Sequence, residues 1–218
     1  MKLLIFDTET TGLPKSREPA INGPNNWPHI VSISWVVFDT ETNTILRKHD
    51  YIIKPDNWTI PLESIGIHGI TNEIAQAKGV PLYGVIKAFL QEPCDTIVAH
   101  NIQFDLNVIL NAILWDLRLE YPILPKQLCT MVLSLNMCKL PGNFGKYKYP
   151  KLKELYFHVF QKMPDEKKLH GSLYDVLILT EIIECHLPLR KVMGLVSTSV
   201  RTVTNGVRTI HFNFDESD

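Results

Sequence analysis

The opening residues constrain this chain most. Leu3-Leu4-Ile5-Phe6 is an unbroken apolar run that passes directly into Asp7-Thr8-Glu9-Thr10 and then a turn signal, Thr11-Gly12-Leu13-Pro14. A short apolar run bounded by turn residues reads as a buried strand. Side chains alternate along a strand, so Asp7 and Glu9 share one face and Thr8 points away. Two carboxylates side by side at such a strand end repel each other and lose hydration. A hard divalent cation with oxygen ligands, Mg²⁺ or Mn²⁺, resolves that conflict. The plain alternative is a solvated strand end with two unrelated acids, and the other acids of the chain decide between them.

Residues 14–28 are rich in Pro, Asn and Gly and read as a surface loop, long enough to form a rim beside the acidic pair. His29 to Phe38 and Thr44 to Lys54 read as two strands of a hairpin around the turn Asp39-Thr40-Glu41-Thr42-Asn43. Asp39 and Glu41 repeat the Asp-x-Glu spacing, but in a turn at the far end of that hairpin, so they read as structural. Residues 55–94 form a helical connection: Pro61 to Ile67, a segment capped by Thr71, and one starting at Pro81. Asp95 to Ala99 is a short buried strand, and Asn101 opens a helix whose Leu106, Ile109, Leu110, Ile113 and Leu114 recur at helical spacing. Asp105 therefore lies in a first helical turn just past a strand end, the edge where sites assemble in open α/β sheets. A carboxylate there is also favoured by the helix dipole alone.

Lys126 to Thr130 suggests another strand, followed by a helical stretch to Lys139. Residues 139–168 then hold eight lysines against three acids, with Tyr147, Tyr149 and Tyr156 interleaved. That is a solvated face or a groove for a single nucleic-acid strand, with lysines for phosphate and rings for bases. His170 stands in a loop five residues before Asp175, which falls in the first turn of an apolar helix running to about His186. The β-rich end, Val196 to Phe214, carries the hairpin signal Asn205-Gly206 and an acidic tail, Asp215-Glu216-Ser217-Asp218.

The 218 residues suffice for one domain with a sizeable core. A net charge of −1 supplies no global field for nucleic acid, so any such binding must come from a local patch. Cys94, Cys129, Cys138 and Cys185 lack the spacing of a zinc site and read as reduced thiols. No signal region and no long apolar run is visible, which predicts no export, no membrane span and a cytoplasmic or nuclear location.

Taken in order, Asp-Thr-Glu-Thr-Thr-Gly at 7–12, Ala99-His100-Asn101-Ile102-Gln103-Phe104-Asp105 and His170-x-x-x-x-Asp175 resemble the three motifs of the DEDDh family of 3′→5′ exonucleases. Ile67-His68-Gly69-Ile70-Thr71 matches a stretch found between the first two. The wording is most similar to the proofreading subunit of bacterial replicative DNA polymerase and to three-prime repair exonucleases, and less like oligoribonuclease. The resemblance implies an α/β, ribonuclease H-like fold, with a mixed central sheet of about five strands flanked by helices. Residues 1–187 would be the exonuclease domain and 188–218 a C-terminal extension, a β-hairpin with the acidic tail. The implied mechanism is two-metal phosphodiester hydrolysis, with two Mg²⁺ or Mn²⁺ ions roughly 4 Å apart. Asp7, Glu9 and Asp175 would hold the first ion, Asp7 and Asp105 the second, and His170 would be the general base. Thr10 and Leu13 would lie beside the terminal nucleotide, His68 near the base, and Asn101 would orient the strand or support Asp105. Lys148 and Lys151, on charge alone and outside the family core, would guide the strand.

The expected partner is the 3′ end of single-stranded nucleic acid, DNA before RNA, with a DNA polymerase or a replication or repair protein as a further candidate. Two rival readings are an exoribonuclease trimming RNA ends with the same site and a non-catalytic binding module that keeps the fold as a scaffold. The five filled catalytic positions argue against the scaffold.

Overall fold

In the computed structural model, which describes residues 1–196, 203–205 and 208–210, the opening apolar run is β1 (Lys2–Thr10). β2 (Ile30–Asp39) and β3 (Thr44–Ile52) follow as an antiparallel pair. Three short helices come next: α1 (Leu62–His68), α2 (Asn72–Lys78) and α3 (Leu82–Leu90). As expected, Thr71 caps α2, its Oγ1 accepting from Ile74 N–H at 3.2 Å. Gly69 ends α1 with a φ of 74°, a left-handed turn that glycine adopts without strain. β4 (Thr96–Ala99), α4 (Ile102–Asn111) and β5 (Lys126–Cys129) form the parallel part of the fold. Two single-turn helices, α5 (Thr130–Leu133) and α6 (Leu135–Cys138), precede α7 (Leu152–Phe160), α8 (Ser172–Cys185) and α9 (Leu187–Val192).

The sheet order is β3-β2-β1-β4-β5, mixed because β2 runs against β1 while β4 runs with it. β1 thus sits in the middle, and Leu3, Leu4, Ile5 and Phe6 are at most 1% exposed. Strand alternation divides them between two layers. Leu4 and Phe6 pack with Val85, Ile86 and Phe89 of α3 and Ile109 of α4. Leu3 and Ile5 face Leu155 of α7, Val176, Leu179 and Ile183 of α8, and Leu189 of α9. Burying each such side chain contributes roughly 2 kcal/mol. α8 is buried around most of its circumference because the sheet, α7 and α9 enclose it.

The lysine-rich stretch holds an element the sequence reading leaves out. Leu152, Leu155, Tyr156, Val159 and Phe160 recur at helical spacing and form the inner face of α7. α8 likewise starts at Ser172, four residues before the apolar run at Val176. Beyond residue 187, Leu189 and Met193 are buried in the α8-side core, and Arg190 donates to Asn43 Oδ1 at 2.8 Å and Thr40 O at 3.0 Å. Near the end of the chain β6 (Val203–Asn205) pairs antiparallel with β7 (Arg208–Ile210), Asn205 opposite Arg208. The acidic tail lies outside the described residues.

Residues 14–28 form an ordered loop over α4. Ala20 N–H donates to Asn107 Oδ1 at 2.8 Å, its carbonyl accepts from Trp115 Nε1 at 2.7 Å, and Trp27 meets Phe104 edge-on. Trp115 reaches Ala20 from a π-helical turn (Ala112–Asp116) that continues α4. No helix among the described residues is long and apolar enough to cross a membrane, and the four cysteines are unpaired.

Candidate active site

Asp7 and Glu9 leave β1 on the face covered by α8, and Asp175 meets them from the first turn of that helix. One carboxylate oxygen from each of the three lies within 4.8 Å of the others. The start of α8 is fixed on the sheet by hydroxyls. Ser172 Oγ lies 3.1 Å from Ser32 Oγ and 2.7 Å from Ser34 Oγ, and Ser34 Oγ donates to Asp50 Oδ1 at 2.7 Å. Ser34 and Ser32 stand opposite Asp7 and Glu9 in the strand pairing, so the same two rungs of the sheet hold both sides of the acidic cluster. The pairing slips just beyond Glu9, which leaves Val31 as an extra residue in β2 and twists the end of β1.

Asp105 arrives from the other layer. Its Oδ1 accepts from Thr8 N–H at 3.1 Å and from Thr8 Oγ1 at 2.8 Å. Thr8 does point away from Asp7 and Glu9, as strand geometry requires, and there it orients the buried carboxylate of Asp105. Neither this role nor the serine cluster is anticipated in the sequence reading. The available signal is a small polar residue at an inward position of an otherwise apolar strand, true of Thr8, Ser32 and Ser34 alike.

The electrostatics follow from burial. Asp7 is pushed well above its ordinary carboxyl range by desolvation first, then by Asp105, Asp175 and Glu9. Desolvation, Asp175 and Asp105 lift Glu9 to about 8. Asp105 rises to about 7 by burial, against the Thr8 hydrogen bonds that favour its anion. Asp175 rises to about 6, burial again outweighing the backbone N–H of His170. Asp175 Oδ1 is buried with no hydrogen-bond partner among the described residues. Hard oxygen donors, mutual repulsion and an orphaned acceptor together fit a divalent cation of the Mg²⁺ or Mn²⁺ kind. Asp105 stands outside the three-residue set, with one oxygen already engaged by Thr8.

The family model described as an exonuclease of the RNase T type matches residues 4–183. The chain belongs to this exonuclease family. Its fold matches a full-length 3′-exonuclease (16% identity, TM-score 0.64, 97% of this chain and 67% of that one). It also matches E. coli Exonuclease I in complex with a dT13 oligonucleotide (16% identity, TM-score 0.61, 88% and 42%). A third match is the nuclease domain of 3′hExo, a DEDDh family member bound to rAMP (17% identity, TM-score 0.60, 84% and 90%). The chain spans less than half the length of the Exonuclease I chains it resembles. No curated protein matches it in sequence. The DEDDh, ribonuclease H-like assignment made on the motifs holds.

In this exonuclease-family chain the residues expected to touch substrate fall into distinct environments. Leu13 is 82% exposed, next to a Gly12 whose φ of 148° favours glycine. The Thr10 hydroxyl donates to Gly12 O at 2.7 Å and so shapes that turn. His68 Nδ1 accepts from Ile70 N–H at 3.1 Å, which puts the proton of the neutral ring on Nε2. Burial lowers the His68 pKa against the nearby Thr10 backbone, and Nε2 is buried without a hydrogen-bond partner among the described residues. Asn101, exposed at the head of α4, takes a left-handed φ of 78°. His170, also exposed and left-handed at 64°, lies in the loop ahead of α8. Lys148 pairs with Glu154, whose other oxygen accepts from the backbone N–H of Lys151 at the head of α7. His100, part of the second motif, has a structural role that the motif alone does not assign. His100 Nε2 bonds to Pro150 O at 2.9 Å and Nδ1 to Thr130 Oγ1 at 3.0 Å, and burial pushes its pKa down to about 4.

Proposed function

We propose that this exonuclease-family chain is a metal-dependent 3′→5′ exonuclease that hydrolyses single-stranded nucleic acid, DNA preferred, and releases nucleoside 5′-monophosphates. The observation that carries the reading is the convergence of Asp7, Glu9 and Asp175 beside the buried Asp105. Bound divalent cations would supply charge neutralisation at the phosphate and acidify a water. Asp7, Glu9 and Asp175 would hold one cation, and Asp7 with Asp105 would hold the second. His170 would take the proton of the attacking water as general base. Leu13 packs on the terminal base, which accounts for a leucine left in solvent at the turn just past β1. His68 offers its unpartnered Nε2–H to the terminal nucleotide, the turn formed by Thr10 presents backbone to it, and Asn101 orients the strand. Lys148 and Lys151 add positive charge on the approach.

The rAMP bound to the 3′hExo nuclease domain supports a second reading, an exoribonuclease with the same site. Matched 5′-labelled DNA and RNA oligomers, digested with Mg²⁺, with Mn²⁺ and with EDTA, test both readings. The expected outcome is a ladder shortening from the 3′ end only with metal, faster for DNA, and lost in Asp7→Asn and Asp175→Asn. Faster loss of RNA would select the second reading. Strands retained in a binding assay but uncut with either metal would leave only the scaffold.

A further inference from the structure

The segment joining α6 to α7, residues 139–151, contains four lysines and no acid. Phe144 within it is 99% exposed and has φ 57° and ψ 36°. A bulky residue in the left-handed region is strained, and such strain persists only where the surroundings enforce it, typically at ligand clamps and switches. Here the backbone enforces it. Gly142 N–H donates to Lys146 O at 2.8 Å, Lys146 N–H to Asn143 O at 3.2 Å and Lys148 N–H to Leu140 O at 3.0 Å. A Cβ at Gly142 would stand 2.7 Å from Lys146 O, so only glycine allows this close crossing. Tyr147 and Tyr149 are also about half exposed, and Lys139, Lys146 and Lys151 reach solvent while Lys148 is held by Glu154.

The root of this loop is tied to the catalytic edge. Pro150 is buried, and its carbonyl meets His100 Nε2, one residue before Asn101 and the helix that carries Asp105. A knit loop that presents bare rings and cations from that edge has the chemistry of a base-stacking track. Rings accept any base, and lysines meet phosphates without reading sequence.

We propose that residues 139–151 form a stacking strap for the part of the strand upstream of the scissile end. Phe144 and Tyr147 stack bases, and Lys139, Lys146 and Lys151 contact phosphates. The strap rests on the exonuclease function proposed for the carboxylate site and makes turnover dependent on strand length.

The test compares a dT dodecamer with a dT dinucleotide. In Phe144→Ala/Tyr147→Ala, the ratio of kcat/KM for the dodecamer to that for the dinucleotide should fall about tenfold, the loss appearing in KM. Phe144→Trp/Tyr147→Phe keeps the rings and should keep the ratio. Replacing Lys139, Lys146 and Lys151 with Gln should reduce the salt slope of dodecamer binding by about two. A ratio unchanged within about twofold, or a ring-retaining variant that falls as far as the alanine one, overturns the strap. If the wild type cuts both substrates with equal efficiency, the strap fails while the exonuclease stands. If it binds the dodecamer but cuts nothing, the exonuclease fails, and dodecamer affinity in the same variants still decides the strap.

Discussion

Thr8 serves the site from the face opposite Asp7 and Glu9. Its hydroxyl and backbone N–H both serve one oxygen of Asp105, a carboxylate only 3% exposed that needs such donors to ionise. Thr8→Val keeps the side-chain shape and the N–H bond but removes the hydroxyl donor. A hydrogen bond to a buried charge is worth roughly 1.5–3 kcal/mol. We expect kcat to fall by about tenfold or more and the acid limb of the pH–rate profile to move to higher pH, with Thr8→Ser close to wild type. A profile that keeps its position in the valine variant would reduce Thr8 to packing.

At the scale of the element, α8 owes its place as much to Ser172 as to its apolar side chains. Ser172→Ala leaves Ser32 and Ser34 without their shared partner at the point where the helix meets the sheet. A loss of about 1–2 kcal/mol is expected, seen as a fall in Tm of roughly 3–6 °C, together with weaker metal binding because Asp175 lies one turn on. Unchanged metal affinity would separate the serine cluster from the site. The elements themselves differ in how plainly the sequence announces them. β1, β2 and α4 follow local rules of alternation and periodicity, and all three were legible. α7 has the same period, through Leu152, Leu155, Tyr156, Val159 and Phe160, but the lysines on either side of it and Lys153 within it mask that apolar stripe. The Asp105–Thr8 and Ser172–Ser34 bonds join residues 97 and 138 positions apart. No local pattern encodes which polar residue meets which across that distance, so the acids could be named from motifs while the groups that aim them could not.

For the molecule as a whole, the carboxylate cluster is a stability cost that a bound divalent cation would offset. Unfolded carboxyls titrate near 4, whereas Glu9 and Asp105 lose their protons at about 8 and about 7 in the fold, and Asp7 is raised as well. Between these limits the native state binds more protons than the unfolded one, so stability falls as pH rises through the folded values. Below about pH 6.5 the lowered pKa values of His68 and His100 act in the opposite direction. The clean window is therefore about pH 7 to about pH 8.5. In EDTA, Tm should drop by about 3 °C or more across it, and Mg²⁺ should restore most of the loss. A flat Tm in EDTA would contradict the raised carboxyls.

β1 lies between the two layers, with Asp7 and Glu9 turned to α8 and Thr8 turned to α4 and Asp105. The cluster is complete only when both layers have docked on opposite faces of one strand, which brings together positions 7, 105 and 175. Such non-local pairing is slow to form because distant parts of the chain must be ordered before any contact stabilises them. For the exonuclease proposed above, helical signal is expected to return ahead of hydrolysis during refolding, with activity reporting the last docking event.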